Sequence, residues 1–318
     1  MDEAAFDLIA ATFRDFHARF ARWFGRTEAR QRGEQYVRGL LVQQTDRRNA
    51  ENLAESIEGA TPRALQRFLT EAPWSHSAVL DELQRYLGER LSAPDGVFVL
   101  DETGFPKQGK KSVGVARQYS GTLGKVGNCQ VGVFLAYVSD RGRALVDGEL
   151  YLPKAWTEDR ERCRAAGVPD ETAFLTKPAL ALGLLGRARQ RGQLAGSWVT
   201  ADEAYGQVPD FRDALDRQGW RYVLEVPHPS LVWPTSGQPP PWPTGTRLRP
   251  RPDLAPARSI AQLADDLPVE TWQELTVAEG AQGRGATVSR RCGSTSSVTA
   301  VSAHLAGRCS GETSTAAS

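Results

Sequence analysis

The stretch Val97-Phe98-Val99-Leu100-Asp101-Glu102-Thr103-Gly104-Phe105 decides how the rest of the chain is interpreted. Four consecutive apolar residues follow the turn signal Pro94-Asp95-Gly96 and predict a short strand buried on both faces. The first residue to leave that strand is the carboxylate Asp101, and a loop with three lysines comes next. An acid between a buried strand and a basic loop indicates phosphate chemistry.

Composition places the chain among globular proteins. The chain has 318 residues, of which 40% are hydrophobic, so it is long enough to bury a core and to form two units. Its formal net charge is +1. Residues 14–48 carry nine arginines against four acids, so a solvated helix face and a nucleic-acid contact both stay open there. Four widely spaced cysteines argue against a disulfide framework or zinc. We expect a cytoplasmic protein without a signal peptide or membrane contact.

Residues 1–92 predict a small helical domain. Phe6, Ile9, Phe13 and Phe16 have the three-and-four spacing of an amphipathic helix. Later segments begin at favourable N-caps, with Thr61-Pro62 and Ser75 each opening a periodic run.

Residues 93–227 change to strand patterns and predict a mixed α/β domain. Short loops between the first strands indicate an antiparallel meander, and later helices allow the strand that ends at Asp202 to lie parallel beside the Asp101 strand. The expected strands after the first are Ser112–Tyr119, Gln130–Ser139, Ala144–Leu152, Ser197–Ala201 and Arg221–Val226; the expected helices are Thr157–Ala166, Lys177–Gln193 and Pro209–Gln218.

Asp101 and Asp202 have equivalent settings, since each closes a buried strand. Ligands gather at the carboxyl ends of parallel strands, so adjacency would bring both acids to one edge of the sheet. Carboxylates from separate strands suit a site for two divalent ions, and Mg²⁺ accepts a few carboxylate oxygens beside water and phosphate. Phosphate-contacting candidates are Lys107, Lys110, Lys111, Arg117 and Lys125.

The last third loses this organisation. Residues 228–258 predict a proline-rich connector, because ten prolines fall within residues 227–256. Residues 259–280 allow one short helix and one short strand. Residues 281–318 are rich in Ala, Ser and Thr without an aromatic residue, and this composition predicts disorder.

Three runs in this order resemble DDE-type insertion-sequence transposases, in particular the insertion sequence 701 family, described as DDE superfamily endonucleases. The resemblance extends over roughly residues 10–280. The runs are LDETGFPKQGKKSVGVARQYSGTLGK (100–125), WVTADEAYG (198–206) and YVLEVP (222–227).

That resemblance implies an RNase H-like mixed sheet behind an N-terminal helical DNA-binding domain. It implies metal-dependent DNA strand cleavage and strand transfer at transposon ends, with Asp101 and Asp202 as the first two metal-binding acids. The implied cofactor is Mg²⁺ or Mn²⁺ in a two-ion site, and the implied partner is double-stranded DNA carrying terminal inverted repeats. A homo-oligomer assembled on that DNA stays open.

The third acid implied by the resemblance is a glutamate on a later helix, beyond a β-rich insertion of which residues 259–280 would be a remnant. The text after residue 283 resembles nothing in the family. We therefore expect an out-of-frame tail, an incomplete two-ion site and impaired activity. Five downstream acids are interpreted as surface carboxylates: Glu225, Asp265, Asp266, Glu270 and Glu279.

Two alternatives have to be weighed against a working transposase. One is a catalytically inactive remnant that still binds DNA. The other is a haloacid-dehalogenase-like phosphatase with Asp101 as the nucleophile. That enzyme class requires a parallel sheet downstream of Asp101, whereas the sequence predicts a meander.

Overall fold

The computed structural model describes residues 3–43, 47–232, 258–266, 272–276 and 286–290. The chain divides into two compact units. We call residues 1–90 with 191–194 the helical unit, and residues 91–190 with 195–318 the sheet unit.

The helical unit contains five helices within its described residues. The predicted caps are present, because the Thr61 hydroxyl accepts from the Ala64 N–H at 3.3 Å and the Ser75 hydroxyl accepts from the Ala78 N–H at 3.2 Å. A core cluster includes Phe24 and Phe68, whose rings meet edge to face at 5.4 Å. The helices are α1 (Glu3–Ala21), α2 (Thr27–Val42), α3 (Ala50–Glu55), α4 (Pro62–Thr70) and α5 (His76–Leu91).

The sheet unit is built on a six-stranded mixed sheet. Its strands are β1 (Val97–Pro106), β2 (Ala116–Ser120), β3 (Lys125–Ser139), β4 (Gly142–Tyr151), β5 (Trp198–Ala201) and β6 (Arg221–Leu224). Its helices are α6 (Lys154–Thr157), α7 (Arg160–Ala165), α8 (Lys177–Arg191), α9 (Glu203–Gly206) and α10 (Pro209–Arg217).

Pairing in this sheet confirms the predicted mixture of directions. Antiparallel pairs join β1 to β3, β2 to β3 and β3 to β4, whereas β1–β5 and β5–β6 are parallel. The prediction that the Asp202 strand lies parallel beside the Asp101 strand is therefore confirmed.

The strand order corrects the predicted meander. β1 does not pair with β2, because β3 lies between β1 and both β2 and β4. The physical reason is the length of β3, whose first residues pair with β2 and whose remaining residues pair with β4. Short loops predict that β1 pairs with β2. Loop length gives no information about the length of β3, which is the strand that pairs with β1.

The first strand is also longer than predicted. It was expected to end at Leu100, but antiparallel pairing with β3 continues to Pro106 opposite Cys129. Only the parallel pairing with β5 stops at Leu100, which lies opposite Ala201. Asp101 therefore lies where the parallel pairing ends, within a strand that goes on.

One face of β1 is buried in the first half of the strand. Phe98 and Leu100 are each 1% exposed, and the Phe98 ring meets the rings of Tyr137 and Trp220 edge to face at 5.2 and 5.4 Å. The chain enters the strand through Gly96, where an added Cβ would lie 1.9 Å from the Tyr137 hydroxyl oxygen. Glycine is therefore required at this turn, directly before β1.

The remaining described elements are short. They are β7 (Leu231–Val232) paired with β8 (Arg258–Ser259), α11 (Ile260–Asp266), and β9 (Trp272–Thr276) paired with β10 (Ala286–Arg290). Residues 286–290, which belong to the predicted tail, form β10 and pair antiparallel with β9. Most of the predicted connector, residues 233–257, and the rest of the predicted tail, 281–285 and 291–318, lie outside the described residues.

Within the part of the chain that the structure describes, no helix is long and apolar enough to cross a membrane.

Candidate active site

The register between β1 and β5 brings the two predicted acids together. Leu100 and Ala201 are the last parallel pair, so Asp101 and Asp202 occupy the next position on neighbouring strands. Leu100 and Ala201 are buried, and side chains alternate between the faces of a strand. Asp101 and Asp202 therefore share the other face, where both are exposed.

Backbone donors orient each carboxylate. The N–H of Glu102 donates to Oδ1 of Asp101 at 2.7 Å. Asp202 is the N-cap of α9, and its Oδ1 accepts from the N–H of Ala204 at 3.0 Å. Both acids are thus held by main chain rather than by positive side chains. Among the described residues, no lysine, arginine or histidine forms an ion pair with either one.

The acid pair is electrostatically unfavourable without a cation. Burial of part of the carboxyl group raises the pKa of Asp202, and the neighbouring charge of Asp101 raises it further. Hydrogen bonds from the backbone of Ala204 and Tyr205 act in the opposite direction without cancelling this rise. The site therefore favours a proton or another cation beside Asp202.

Glu102 lies on the opposite face of β1 and has its own partner. Its Oε1 accepts from Lys177 Nζ at 2.7 Å, at the first residue of α8. The same ammonium lies 5.6 Å from the centre of the Tyr151 ring. Oε2 of Glu102 is buried and accepts no hydrogen bond within the described residues. Glu102 therefore keeps one oxygen for a further donor.

Tyr205 adds a buried hydroxyl to this neighbourhood. The residue is 1% exposed, and its hydroxyl has no hydrogen-bond partner within the described residues. Burial raises the pKa of Tyr205 far above its usual range, and the charges of Glu102, Asp202 and Asp101 contribute in that order. The Tyr205 ring packs against the Phe211 ring, with their centres 5.7 Å apart.

A close approach of backbones fixes α9, which carries Asp202 at its cap and Tyr205 within it. An added Cβ at Gly206 would lie 1.8 Å from the carbonyl oxygen of Glu225, just after β6. Only glycine allows this approach. The positions of Asp202 and Tyr205 therefore depend on Gly206, which has no functional side chain.

The predicted phosphate-contacting residues lie elsewhere in the sheet unit. Lys107 follows the end of β1, and at about 3.3 Å per residue it is roughly 20 Å along the strand from Asp101. Asn128 ties this loop to β3 by donating to the carbonyl oxygens of Lys107 and Gly109 at 2.7 and 2.9 Å. All five predicted residues are exposed: Lys107, Lys110, Lys111, Arg117 and Lys125. Lys107 is therefore separated from Asp101 by the last five residues of β1.

The donor set suits a divalent cation only in part. Two adjacent carboxylates are the ligands that Mg²⁺ and Mn²⁺ prefer. Among the residues described, however, no group of three or more His, Cys, Asp or Glu side chains is placed to hold a metal ion. The structure thus brings together the pair that the sequence predicts.

Sequence reasoning missed Lys177 and Tyr205. Lys177 is 75 positions from Glu102, and its place in a helix of otherwise ordinary composition gave no signal. Tyr205 had a weak signal, because it lies three residues after Asp202 and a helical turn brings it back towards the cap. Glu102 was set aside from the acid pair on strand alternation, and the structure does place it on the other face.

Comparisons with known proteins point the same way. The sequence profile of the family described as DDE superfamily endonuclease matches residues 19–284. A protein named "Probable transposase for insertion sequence element IS701", from Microchaete diplosiphon, is 27% identical over 192 residues. The match covers 60% of this chain and 47% of that protein, so the chain spans about half the length of this relative.

Among solved structures, the Drosophila P element transposase strand transfer complex overlaps 59% of this chain and 40% of its own chain, at 13% identity and a TM-score of 0.21. A TM-score this low carries no argument about the fold. The profile match, in contrast, covers well over half of the sequence. The chain therefore belongs to the DDE superfamily endonuclease family.

Proposed function

We propose that this chain acts on double-stranded DNA as an insertion-sequence transposase, by metal-dependent strand cleavage and strand transfer at transposon ends. The observation that supports this most is the acid pair. Asp101 and Asp202 lie at adjacent positions just after the parallel pairing of β1 with β5 ends, and no described cationic side chain forms an ion pair with them. Backbone N–H groups orient the two carboxylates but leave the repulsion between their charges, which a bound metal ion would compensate.

Asp101 and Asp202 would hold Mg²⁺ or Mn²⁺ in this proposal. A bound divalent ion supplies activation of the attacking oxygen and stabilises charge on the leaving oxygen of the phosphodiester. The chain's own part is orientation, because the backbone N–H groups of Glu102 and Ala204 fix one oxygen of each carboxylate in advance. Lys177 neutralises Glu102 and limits the negative charge beside the pair.

The DNA duplex would extend from the acids to the basic loop. The separation of about 20 Å along β1 corresponds to roughly six base pairs at ~3.4 Å each, so Lys107 and its neighbours would contact the backbone away from the reacting phosphate. We assign the mixed sheet to the RNase H-like class, supported by antiparallel pairing on one side of β1 and parallel pairing on the other. The helical unit would be the DNA-binding domain.

A cleavage assay tests this proposal. The full chain is incubated with Mn²⁺ or Mg²⁺ and a labelled duplex carrying the terminal repeat of the element, and nicks are mapped. Because the two-ion site is expected to be incomplete, we expect weak nicking at the repeat end, which Asp101→Asn abolishes and Asp159→Asn leaves unchanged. Asp159 is a matched control, because it caps α7 by accepting from Arg162 N–H at 3.0 Å. Equal nicking by wild type and Asp101→Asn would overturn the proposal.

A second candidate is sequence-specific DNA binding without cleavage. It is favoured by one observation, namely that the described residues supply two acids where the family resemblance implies three. Binding of the terminal duplex without nicks in either metal would select this candidate. The phosphatase alternative is disfavoured, since β1 is flanked on one side by antiparallel β3 rather than by a parallel strand.

A further inference from the structure

A cavity of about 400 Å³ lies in the helical unit and belongs to no part of the acid site. The first turns of α2 and α4 line it, with the buried side chains of Ala29 and Phe68 among its walls. Its charged lining consists of four arginines and two glutamates: Arg26, Arg32, Arg63, Arg67, Glu28 and Glu71. A wall with this excess of guanidinium groups suits an anion.

The positive ends of two helices line the same cavity. α2 spans 16 residues, and its N-cap Arg26 offers no side-chain acceptor to the first turn. α4 spans nine residues, begins with Pro62 and is capped by Thr61. Free N–H groups and the helix dipole both favour negative charge at such ends. The two first turns and the arginines thus act in the same direction.

Three of the four arginines form no ion pair with a carboxylate of the described residues. Arg32 donates to Gln35 Oε1 at 2.7 Å and to the Gly59 carbonyl oxygen at 3.2 Å, which are neutral acceptors. Its Nε is buried and donates to nothing within the described residues. Arg26 and Arg63 are exposed, and no ion pair joins either one to a described acid.

The fourth arginine is restrained by an acid. Arg67 Nε donates to Glu71 Oε2 at 2.7 Å, one turn along α4, and this hydrogen bond raises the pKa of Arg67. The pair is solvent-exposed, with 63% and 59% of the two side chains accessible. Such pairs open easily, so Arg67 can exchange Glu71 for another anion.

We propose that this cavity binds phosphates of a DNA backbone, with Arg26, Arg32 and Arg63 as direct contacts and Arg67 as a contact that Glu71 opposes. This inference rests on the proposed function, because it takes DNA as the partner. Phosphate contacts position a protein on the duplex and carry no base sequence directly. The cavity therefore strengthens binding to any duplex and sets the register of the helical unit on it.

Salt dependence of DNA binding tests the cavity. Binding of the full chain to a 30-base-pair duplex of arbitrary sequence is followed by fluorescence anisotropy between 50 and 200 mM salt, in EDTA so that cleavage is excluded. Each phosphate contact contributes about 0.9 to the slope of log K against log salt. We expect the double variant Arg26→Ala/Arg63→Ala to lose about 2 from the slope and roughly tenfold in affinity at low salt.

Two further variants separate this effect from general loss of charge or folding. Arg14→Ala is the matched control, because Arg14 is an exposed arginine of α1 that does not line the cavity; its slope should equal that of the wild type. Glu71→Gln should tighten binding and add about 1 to the slope, since it frees Arg67. A gain of binding cannot come from misfolding, and the melting temperature of each variant is measured alongside.

An unchanged slope in the double variant, or equal losses in Arg14→Ala, would overturn the inference and leave the proposed function standing. Weaker binding by Glu71→Gln would also overturn it. A wild-type chain that binds no DNA would overturn both. A slope that falls as expected, in a chain that produces no nicks, would support the cavity while the cleavage proposal fails.

Discussion

Two carboxylate sites in this molecule are built in opposite ways. In the helical unit, Glu82 is 1% exposed and is contacted by three guanidinium groups. Arg19 Nε donates to it at 3.0 Å, and Arg22 and Arg85 form further ion pairs with its other oxygen. Burial alone would raise the pKa of Glu82, but hydrogen bonds from Arg19 and Arg22 outweigh burial and lower it. This carboxylate is compensated by its own unit.

In the sheet unit, strand register and backbone donors hold Asp101 and Asp202 side by side, and no arginine or lysine of the described residues forms an ion pair with them. Burial and the neighbouring acid raise the pKa of Asp202. A buried charge that serves stability is paired, whereas an acid pair that lowers stability persists when something outside the fold compensates it. The two sites therefore differ in the source of compensation: arginines of the same unit neutralise Glu82, whereas no described side chain neutralises the acid pair.

The compensated site gives the largest expected effect on stability. We expect Glu82→Gln to lower the free energy of unfolding by about 3 kcal/mol, because it keeps the volume but leaves three guanidinium groups around a neutral amide. Urea unfolding at pH 7 measures this. The matched control is Glu34→Gln, which removes the exposed pair with Arg38 at 2.7 Å and should change the free energy by less than about 0.5 kcal/mol.

The pH dependence of the same variant has a defined sign. Because the folded-state pKa of Glu82 is lowered, its contribution is present above the ordinary glutamate value of about 4.3 and is lost as pH falls through the folded value. The stability difference between wild type and Glu82→Gln should therefore shrink from pH 6 to pH 3. A difference that grows on acidification would show that Glu82 is not charge-compensated.

The ion pair between Glu102 and Lys177 is intermediate between the two sites. The Glu102 side chain is 16% exposed and has one positive partner, so Lys177→Met would leave an almost buried carboxylate beside two other acids. We expect a loss of about 2 kcal/mol in urea unfolding at pH 7. Lys154→Met is the matched control, since Lys154 lies over Phe174 at the same 5.6 Å without an ion pair to a described acid. Equal losses in both variants would mean that packing, not charge, decides.

The sequence predicted the parts of the fold that depend on short-range pattern. Caps at Thr61 and Ser75 and the parallel placement of the Asp202 strand follow from local composition and element order. The length of β1 does not, because strand ends are set by the partner strand, and β3 continues for 15 residues. Consequently the sequence predicts that the acids are neighbours, but it does not predict that β1 continues for five residues beyond Asp101.

The predicted site was incomplete for a similar reason. Register can be inferred for two acids that close similar strands, but a partner such as Lys177 is brought to Glu102 by packing across 75 positions. The Tyr205 hydroxyl was equally hidden, because its burial depends on the close approach at Gly206. Side-chain partners from distant elements are decided by tertiary packing, which periodicity does not report.

The smallest expected effect has the opposite sign and tests the uncompensated site. Asp202→Asn keeps a good N-cap for α9 and removes one of two adjacent negative charges. The folded-state pKa of Asp202 is raised, so the charged carboxylate lowers the free energy of unfolding once the pH exceeds the ordinary aspartate pKa of about 3.9. This loss grows until the pH has passed the folded-state pKa. We expect a gain of a few tenths to 1 kcal/mol in EDTA at pH 7, after allowance for solvent.

The capping control for this variant is Asp159→Asn, which changes the same residue type at the same helix position in α7 and should give no gain. Addition of 10 mM MgCl₂ should stabilise the wild type and reduce the difference in unfolding free energy between it and Asp202→Asn. The reason is that the ion would compensate Asp101 and Asp202, as Arg19, Arg22 and Arg85 compensate Glu82. If Asp202→Asn is instead destabilised by as much as Glu82→Gln, both acids are structural, and the contrast between the two units disappears.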